Sequence, residues 1–174
     1  MKRLLIVLIV ASLTVFSCNS KSGNRKAQSE QSVSTEKEGF LKVTKVLDGD
    51  TFWADDGSDK GIKIRLIGVD APESRNVFKK KKGYYGEEAK TYLSNMIEGQ
   101  SVRLEYDVDS LDQYGRTLAY VYLTDGTFVN ADLVKNGYAM VMTVPPNVKY
   151  ADEFINYQQE ARENNRGLWK MNTE

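Results

Sequence analysis

The chain contains no histidine, a single cysteine and no excess of either charge. Each lack closes off a class of chemistry. Without imidazole there is no histidine base or nucleophile and no histidine-ligated metal. With Cys18 alone, no disulfide can form within the chain, so the folded part is held by its apolar core. The 24 basic residues balance the 24 acidic ones, which excludes a generically basic nucleic-acid coat. Any attraction to phosphate has to arise from local clusters rather than from the overall field. A long apolar run is also missing, since the stretch from Leu4 to Phe16 is too short for a comfortable membrane span.

That short stretch follows the basic pair Lys2 and Arg3 and ends in Val15-Phe16-Ser17-Cys18, so residues 1–17 are expected to be a signal peptide. The segment resembles a bacterial lipoprotein lipobox, in which the signal is removed and the cysteine carries lipid. On that resemblance Cys18 is the lipidation site and the protein is expected in the cell envelope, outside the cytoplasm, anchored to a membrane. The bland alternative is a free thiol beside an ordinary signal-peptidase site. Residues 19–38 are polar and free of aromatics, with Val33 as their only branched aliphatic. Such a segment buries too little apolar surface to offset chain entropy, so 18–38 reads as a lipidated cysteine and flexible tether. Residues 39–174 are then one domain. Loss of Lys2 and Arg3 with the signal leaves 22 basic against 24 acidic residues.

Within the domain, Phe40–Leu47, Thr51–Ala54, Ile62–Ile67, Ser101–Tyr106 and Arg116–Leu123 read as strands from their alternation and β-branched content. Asp48-Gly49-Asp50, Asp55–Ser58 and Asp125-Gly126 are turn chemistry. Ala89, Leu93, Met96 and Ile97 mark one face of a helix over Glu87–Ile97, stopped at Gly99. Val129–Lys135 reads as a short helix capped by Asn130 and ended near Gly137. A last helix over Tyr150–Asn165 is expected to bury Phe154, Ile155, Tyr157 and Ala161, with Trp169 and the pair Tyr120 and Tyr122 in the core or at its rim. Five strands and three helices predict a mainly β fold with α, a small Greek-key barrel with helices packed on it.

The charged residues sit at the ends of these strands. VLDGDTF (46–52), IRLIGVDAPES (64–74) and DQYGRTLAYVYL (112–123) supply Asp48, Asp50, Asp70 and Glu73 as oxygen donors and Arg65 and Arg116 as fixed cations. Carboxylates and guanidiniums alone suit a hard cation and a phosphate. Taken singly, each has a plainer reading. Asp48-Gly49-Asp50 is a common turn, Asp70-Ala71-Pro72-Glu73 a common cap, and Arg116 can begin a strand and pair with a neighbouring carboxylate.

Order and spacing together are more specific. DGDT (48–51), RLIGVDAPE (65–73), YGEEA (85–89), DQYGRTLAYVY (112–122), VNADLVKNGYA (129–139) and ARENNRGLW (161–169) resemble, in the same order, a staphylococcal nuclease domain covering about residues 39–170. The resemblance implies a five-stranded OB-fold barrel with three helices and calcium-dependent hydrolysis of DNA and RNA. It implies that Asp50, Asp70 and the Ala71 carbonyl ligate calcium, with Asp48 in support. Glu73 then orients or deprotonates water, while Arg65 and Arg116 hold phosphate, leaving a 3′-phosphate and a 5′-hydroxyl. Tyr114 matches a substrate-facing tyrosine, and Lys80 and Lys81 fall in a basic loop beside the site. The family's further tyrosines are replaced by Thr143 and Pro145. Single strands are the expected preference, and nothing in the chain demands more than a monomer.

Two other classes fit parts of the pattern. A nucleic-acid-binding OB module without catalysis needs the barrel but not the six charged residues, all of which are present here. A structural surface lipoprotein needs only the anchor and a binding face.

Overall fold

A computed structural model describes residues 39–76 and 82–170. Among these residues, seven strands and three helices follow in the order β1 (Phe40–Asp48), β2 (Thr51–Asp55), β3 (Ile62–Leu66), β4 (Gly68–Asp70), α1 (Gly86–Ile97), β5 (Ser101–Glu105), β6 (Thr117–Leu123), α2 (Val129–Lys135), β7 (Met140–Met142) and α3 (Ala151–Glu163), with a 3-10 turn at Gly167–Trp169. Five strands close a barrel in the order β1-β2-β3-β6-β5, and β5 returns to β1. All neighbours are antiparallel except β3 and β6, which run parallel. The mainly β barrel with three helices is therefore the architecture of this domain.

Alternation fills the barrel. Val43, Val46, Phe52, Ala54, Ile64, Leu66, Val102, Ala119 and Val121 are all buried. Each large apolar side chain fully removed from water contributes about 1.5–3 kcal/mol before entropy is counted. The helix α1 presents Ala89, Leu93 and Ile97, spaced four apart on one face, and packs on β1. It stops where Gly99 takes φ +77°, a left-handed conformation that side chains resist.

Four details differ from the sequence reading. β4 and β7 form a separate two-stranded ladder, pairing Gly68 with Met142 and Asp70 with Met140, that three-residue runs are too short to announce. Asn130 caps nothing: Phe128 is the residue before α2, and Asn130 lies inside the helix, fully buried. Its carboxamide oxygen accepts from Val121 N–H at 2.9 Å and its amide donates to the Ile67 carbonyl at 2.9 Å, joining α2 to the barrel. Ile155 is 51 % exposed, because α3 buries only the face of Phe154 and Ala161, with Tyr157 half-buried. The last helix is also shorter at both ends than the expected Tyr150–Asn165.

Candidate active site

Barrel register brings the first cluster together. The β1–β2 turn places Thr51 opposite both Asp48 and Arg65, and the Asp50 carbonyl accepts from Leu66 N–H at 3.0 Å. The Asp50 side chain thus meets Arg65: Oδ2 lies 2.9 Å from Arg65 Nη1 and accepts the Ala71 N–H at 2.9 Å. Its Oδ1 accepts the Thr51 hydroxyl at 2.8 Å. Asp70, set by the β4–β7 ladder, puts Oδ1 2.8 Å from Arg65 Nη2. One guanidinium therefore holds two carboxylates, and it also donates to the Val69 carbonyl at 2.9 Å. The Arg65 and Asp50 side chains are about nine-tenths buried, at 12 % and 10 % exposure. Charges this deep persist because each is paired and hydrogen-bonded.

Gly49 allows the turn to lie this close. A Cβ there would stand 2.6 Å from the Ala71 Cβ and 2.9 Å from the Ala89 Cβ, inside any real contact. Asp48 faces the other way along the same seam. Its Oδ1 accepts from Gly49 N–H at 3.0 Å and Ser74 N–H at 3.1 Å, and its carboxyl group hydrogen-bonds Glu73. Burial pushes Asp48 above its ordinary 3.8, the Gly49 and Ser74 amides oppose this, and the Asp50 charge and Glu73 add to the rise. The Ser74 hydroxyl is buried and has no hydrogen-bond partner.

Arg116 stands just before β6. Its Nε is 2.6 Å from Asp112 Oδ2, while its backbone N–H donates to Asp112 Oδ1 at 2.9 Å. Burial alone raises Asp112, but the two Arg116 bonds, the Tyr114 N–H and the guanidinium charge hold it below the usual 3.8. The pairing occupies Nε and leaves both terminal amino groups of Arg116 for a ligand. Tyr114 is 74 % exposed, with the Arg116 guanidinium 5.4 Å from its ring centre.

A groove of about 540 Å³ joins these parts, lined by Arg65 and Arg116 with Tyr114, Leu118, Met142 and Pro145 among its walls. Arg65 is shared between the groove and the carboxylate pair, so phosphate-sized anions entering the groove meet two guanidiniums backed by Asp50 and Asp70. Among the described residues no three Asp, Glu, His or Cys side chains gather as a metal cluster. Asp50 and Asp70 nevertheless share the single positive charge of Arg65, and carboxylate oxygens are the donor type that a hard cation takes.

The structure brings Asp48, Asp50, Arg65, Asp70, Ala71 and Glu73 into one connected cluster and sets Arg116 and Tyr114 on the adjoining groove. Thr143 and Pro145 are exposed on the 140–148 segment, and Pro145 lines the groove without an aromatic ring to stack on a base. Cys18, Lys80 and Lys81 lie outside the described residues. Sequence reasoning missed Asp112, although the four-residue spacing in Asp112–Arg116 was a readable signal for an ion pair. It also missed Asn147, a buried residue that ties the 140–148 segment to Asp109 through bonds of 2.8 Å in both directions. That tie had no local signature.

Comparison with known proteins places these residues in a family context. Residues 63–171 match the family model described as staphylococcal nuclease homologue. The chain is 36 % identical to the thermonuclease of Staphylococcus hyicus over 167 residues, 94 % of this chain and 95 % of that protein. It is 38 % identical to the Staphylococcus intermedius thermonuclease, covering 95 % of both chains. Endonuclease YncB of Bacillus subtilis is 32 % identical, over 97 % of this chain and 92 % of its own.

Proposed function

From the premise that this chain belongs to the staphylococcal nuclease family and is a nuclease, we propose that it hydrolyses phosphodiester bonds of both DNA and RNA in a calcium-dependent reaction, leaving 3′-phosphate and 5′-hydroxyl ends. The observation that carries the reading is the Asp50–Arg65–Asp70 arrangement opening onto a groove that Arg116 also lines. Asp50, Asp70 and the Ala71 carbonyl would hold the metal, with Asp48 keeping the seam in position. A calcium ion there would supply polarisation and charge neutralisation at the phosphate, worth roughly several kcal/mol.

The remaining roles belong to the chain itself. Arg65 and Arg116 grip the non-bridging oxygens through planar forks whose charge persists at any working pH. Arg116, with Asp112 fixing its Nε side, presents its terminal amino groups to the developing charge on the leaving 5′ oxygen. Glu73 orients or deprotonates the attacking water. Its backbone is pinned by the Gly83 N–H, which donates to the Glu73 carbonyl at 2.9 Å. The open, two-guanidinium groove favours a flexible single strand over a stiff duplex, and the protein acts as a monomer. Cys18 carries lipid and holds the enzyme on the outer side of a membrane, where calcium is plentiful.

Cleavage of plasmid DNA and of RNA is expected to stop in EGTA and to return when calcium is added. Undiminished cutting in the chelator would remove calcium from the reading. Ends bearing a 5′-phosphate would remove the assigned direction of bond breaking.

A further inference from the structure

Among the described residues the exposed aromatic side chains are Tyr84, Tyr106 and Tyr114, at 58 %, 52 % and 74 % exposure. Tyr114 belongs to the groove on the Arg116 side. Tyr84 belongs to the other end of the site. The residue before it, Gly83, donates its N–H to the Glu73 carbonyl, and a Cβ on Gly83 would stand 2.8 Å from the Pro72 Cβ. Two residues on, a Cβ at Gly86 would collide with the Glu73 carbonyl oxygen. The backbone on both sides of Tyr84 is therefore pressed against residues 72–73, which holds the Tyr84 residue close in space to the segment that carries Glu73.

Tyr84 is also the outermost member of a ladder of four rings. Its ring centre is 5.8 Å from that of Tyr85, Tyr85 is stacked 5.6 Å from Tyr138, and Tyr138 is stacked 3.8 Å from Tyr92. The inner end is fixed, since the Tyr92 hydroxyl donates to Asp132 at 2.7 Å. A row of inward rings anchored at one end and exposed at the other is a poor way to fill a core. It is a good way to hold one aromatic face rigid in water. Beside it, Lys82 pairs with Glu87 at 2.9 Å, which offsets the nearest carboxylate charge against an approaching phosphate backbone.

We propose that Tyr84 is a stacking platform for an unpaired base of the substrate strand, at least two nucleotides from the scissile phosphate on the Glu73 side. The proposal rests on the nuclease reading and extends it. It gives the strand aromatic contacts at both ends of the site, Tyr114 and Tyr84, with the charged residues between them. Stacking is indifferent to base identity but demands that the base be out of a duplex.

The test compares Tyr84→Ala, Tyr84→Phe and Tyr84→Trp on a single-stranded decanucleotide and on a dinucleotide with one phosphodiester bond. The alanine variant is expected to raise KM for the decanucleotide about five- to tenfold, in the lower range for loss of one base–aromatic stack, with kcat unchanged. Phenylalanine and tryptophan are expected to stay within about twofold of the parent protein, as the stacking energy follows the ring. The dinucleotide, too short to reach Tyr84, is expected to be unaffected. An unchanged decanucleotide KM in the alanine variant overturns the proposal, as does equal damage to the dinucleotide or equal damage from phenylalanine. Anisotropy of a labelled decanucleotide in EGTA reads the same ranking of variants without cleavage. Failure of the parent protein to cut would thus count against the catalytic reading, and failure of the ranking against the platform.

Discussion

At Arg116 the guanidinium divides its donors between a protein carboxylate and the groove. Asp112 takes Nε at 2.6 Å, and the Arg116 side chain is 29 % exposed. Arg116→Ala is expected to lower kcat by about 10²–10³, the usual cost of removing one donor from a developing oxyanion, while circular dichroism stays that of the parent and the thermal midpoint falls only by the loss of the Asp112 pair. Lysine is not an adequate substitute, because a point charge cannot replace a fork. Asp112 adds a pH signature. Its carboxyl is held below 3.8, so its stabilising effect is fully present above that value and is lost as pH falls through the depressed pKa. The stability difference between the parent and Asp112→Asn, followed by denaturant unfolding, is therefore expected to be constant from neutral pH down to about pH 4 and to shrink below it. A difference that grew with acidity would reverse the sign and discard the pair. Both partners were visible in DQYGR, but only Arg116 drew attention, because a carboxylate before Tyr-Gly also looks like turn chemistry.

Elements position these residues through a few buried polar ties. Asn130 is the clearest, linking α2 to Val121 on β6 and to the Ile67 carbonyl between β3 and β4. Asn130→Ala leaves those backbone groups buried without partners and is expected to cost about 1–3 kcal/mol, measured as a lower denaturation midpoint at unchanged slope. A neutral result would mean the tie is replaceable by water. In sequence, Asn at the second helical position imitates a cap, since capping and tertiary bonding demand the same short amide. The β4–β7 ladder was illegible for a different reason: three residues carry too little alternation to separate from a loop, yet this ladder sets Asp70. Helix α1 was legible nearly to the residue, because its buried face repeats with helical period. Ile155 was misjudged because helix α3 buries only a narrow stripe, Phe154 and Ala161, and packs mainly on α2 and β7.

For the whole molecule, balanced charge means that affinity comes from local contacts and not from long-range attraction. A strand has to reach the groove, and a flexible one does so at lower cost than a paired one. One oligonucleotide, tested alone and with its complement, is expected to be cut several-fold faster as the single strand; equal rates would assign recognition to duplex shape instead. The proposed lipid anchor at Cys18 belongs to this scale as well. Cys18→Ala is expected to release the protein from membrane pellets into the soluble fraction without altering its nuclease activity, and a variant that still sediments would separate attachment from that cysteine.

Composition, periodicity and the order of short charged motifs determined, by themselves, the five barrel strands, the three helices, the barrel class and the six charged residues as candidates. These are properties of neighbouring residues, written within a few positions of one another. Which of those residues touch was decided only by the closed barrel. Its register lays Thr51 against Arg65 and so delivers Asp50, while the short ladder brings in Asp70 from the side. The same packing seats Gly83 on Pro72 and Glu73 and leaves the Tyr84 ring exposed. Proximity between residues distant in the chain follows from how strands close upon one another, and no local pattern encodes it.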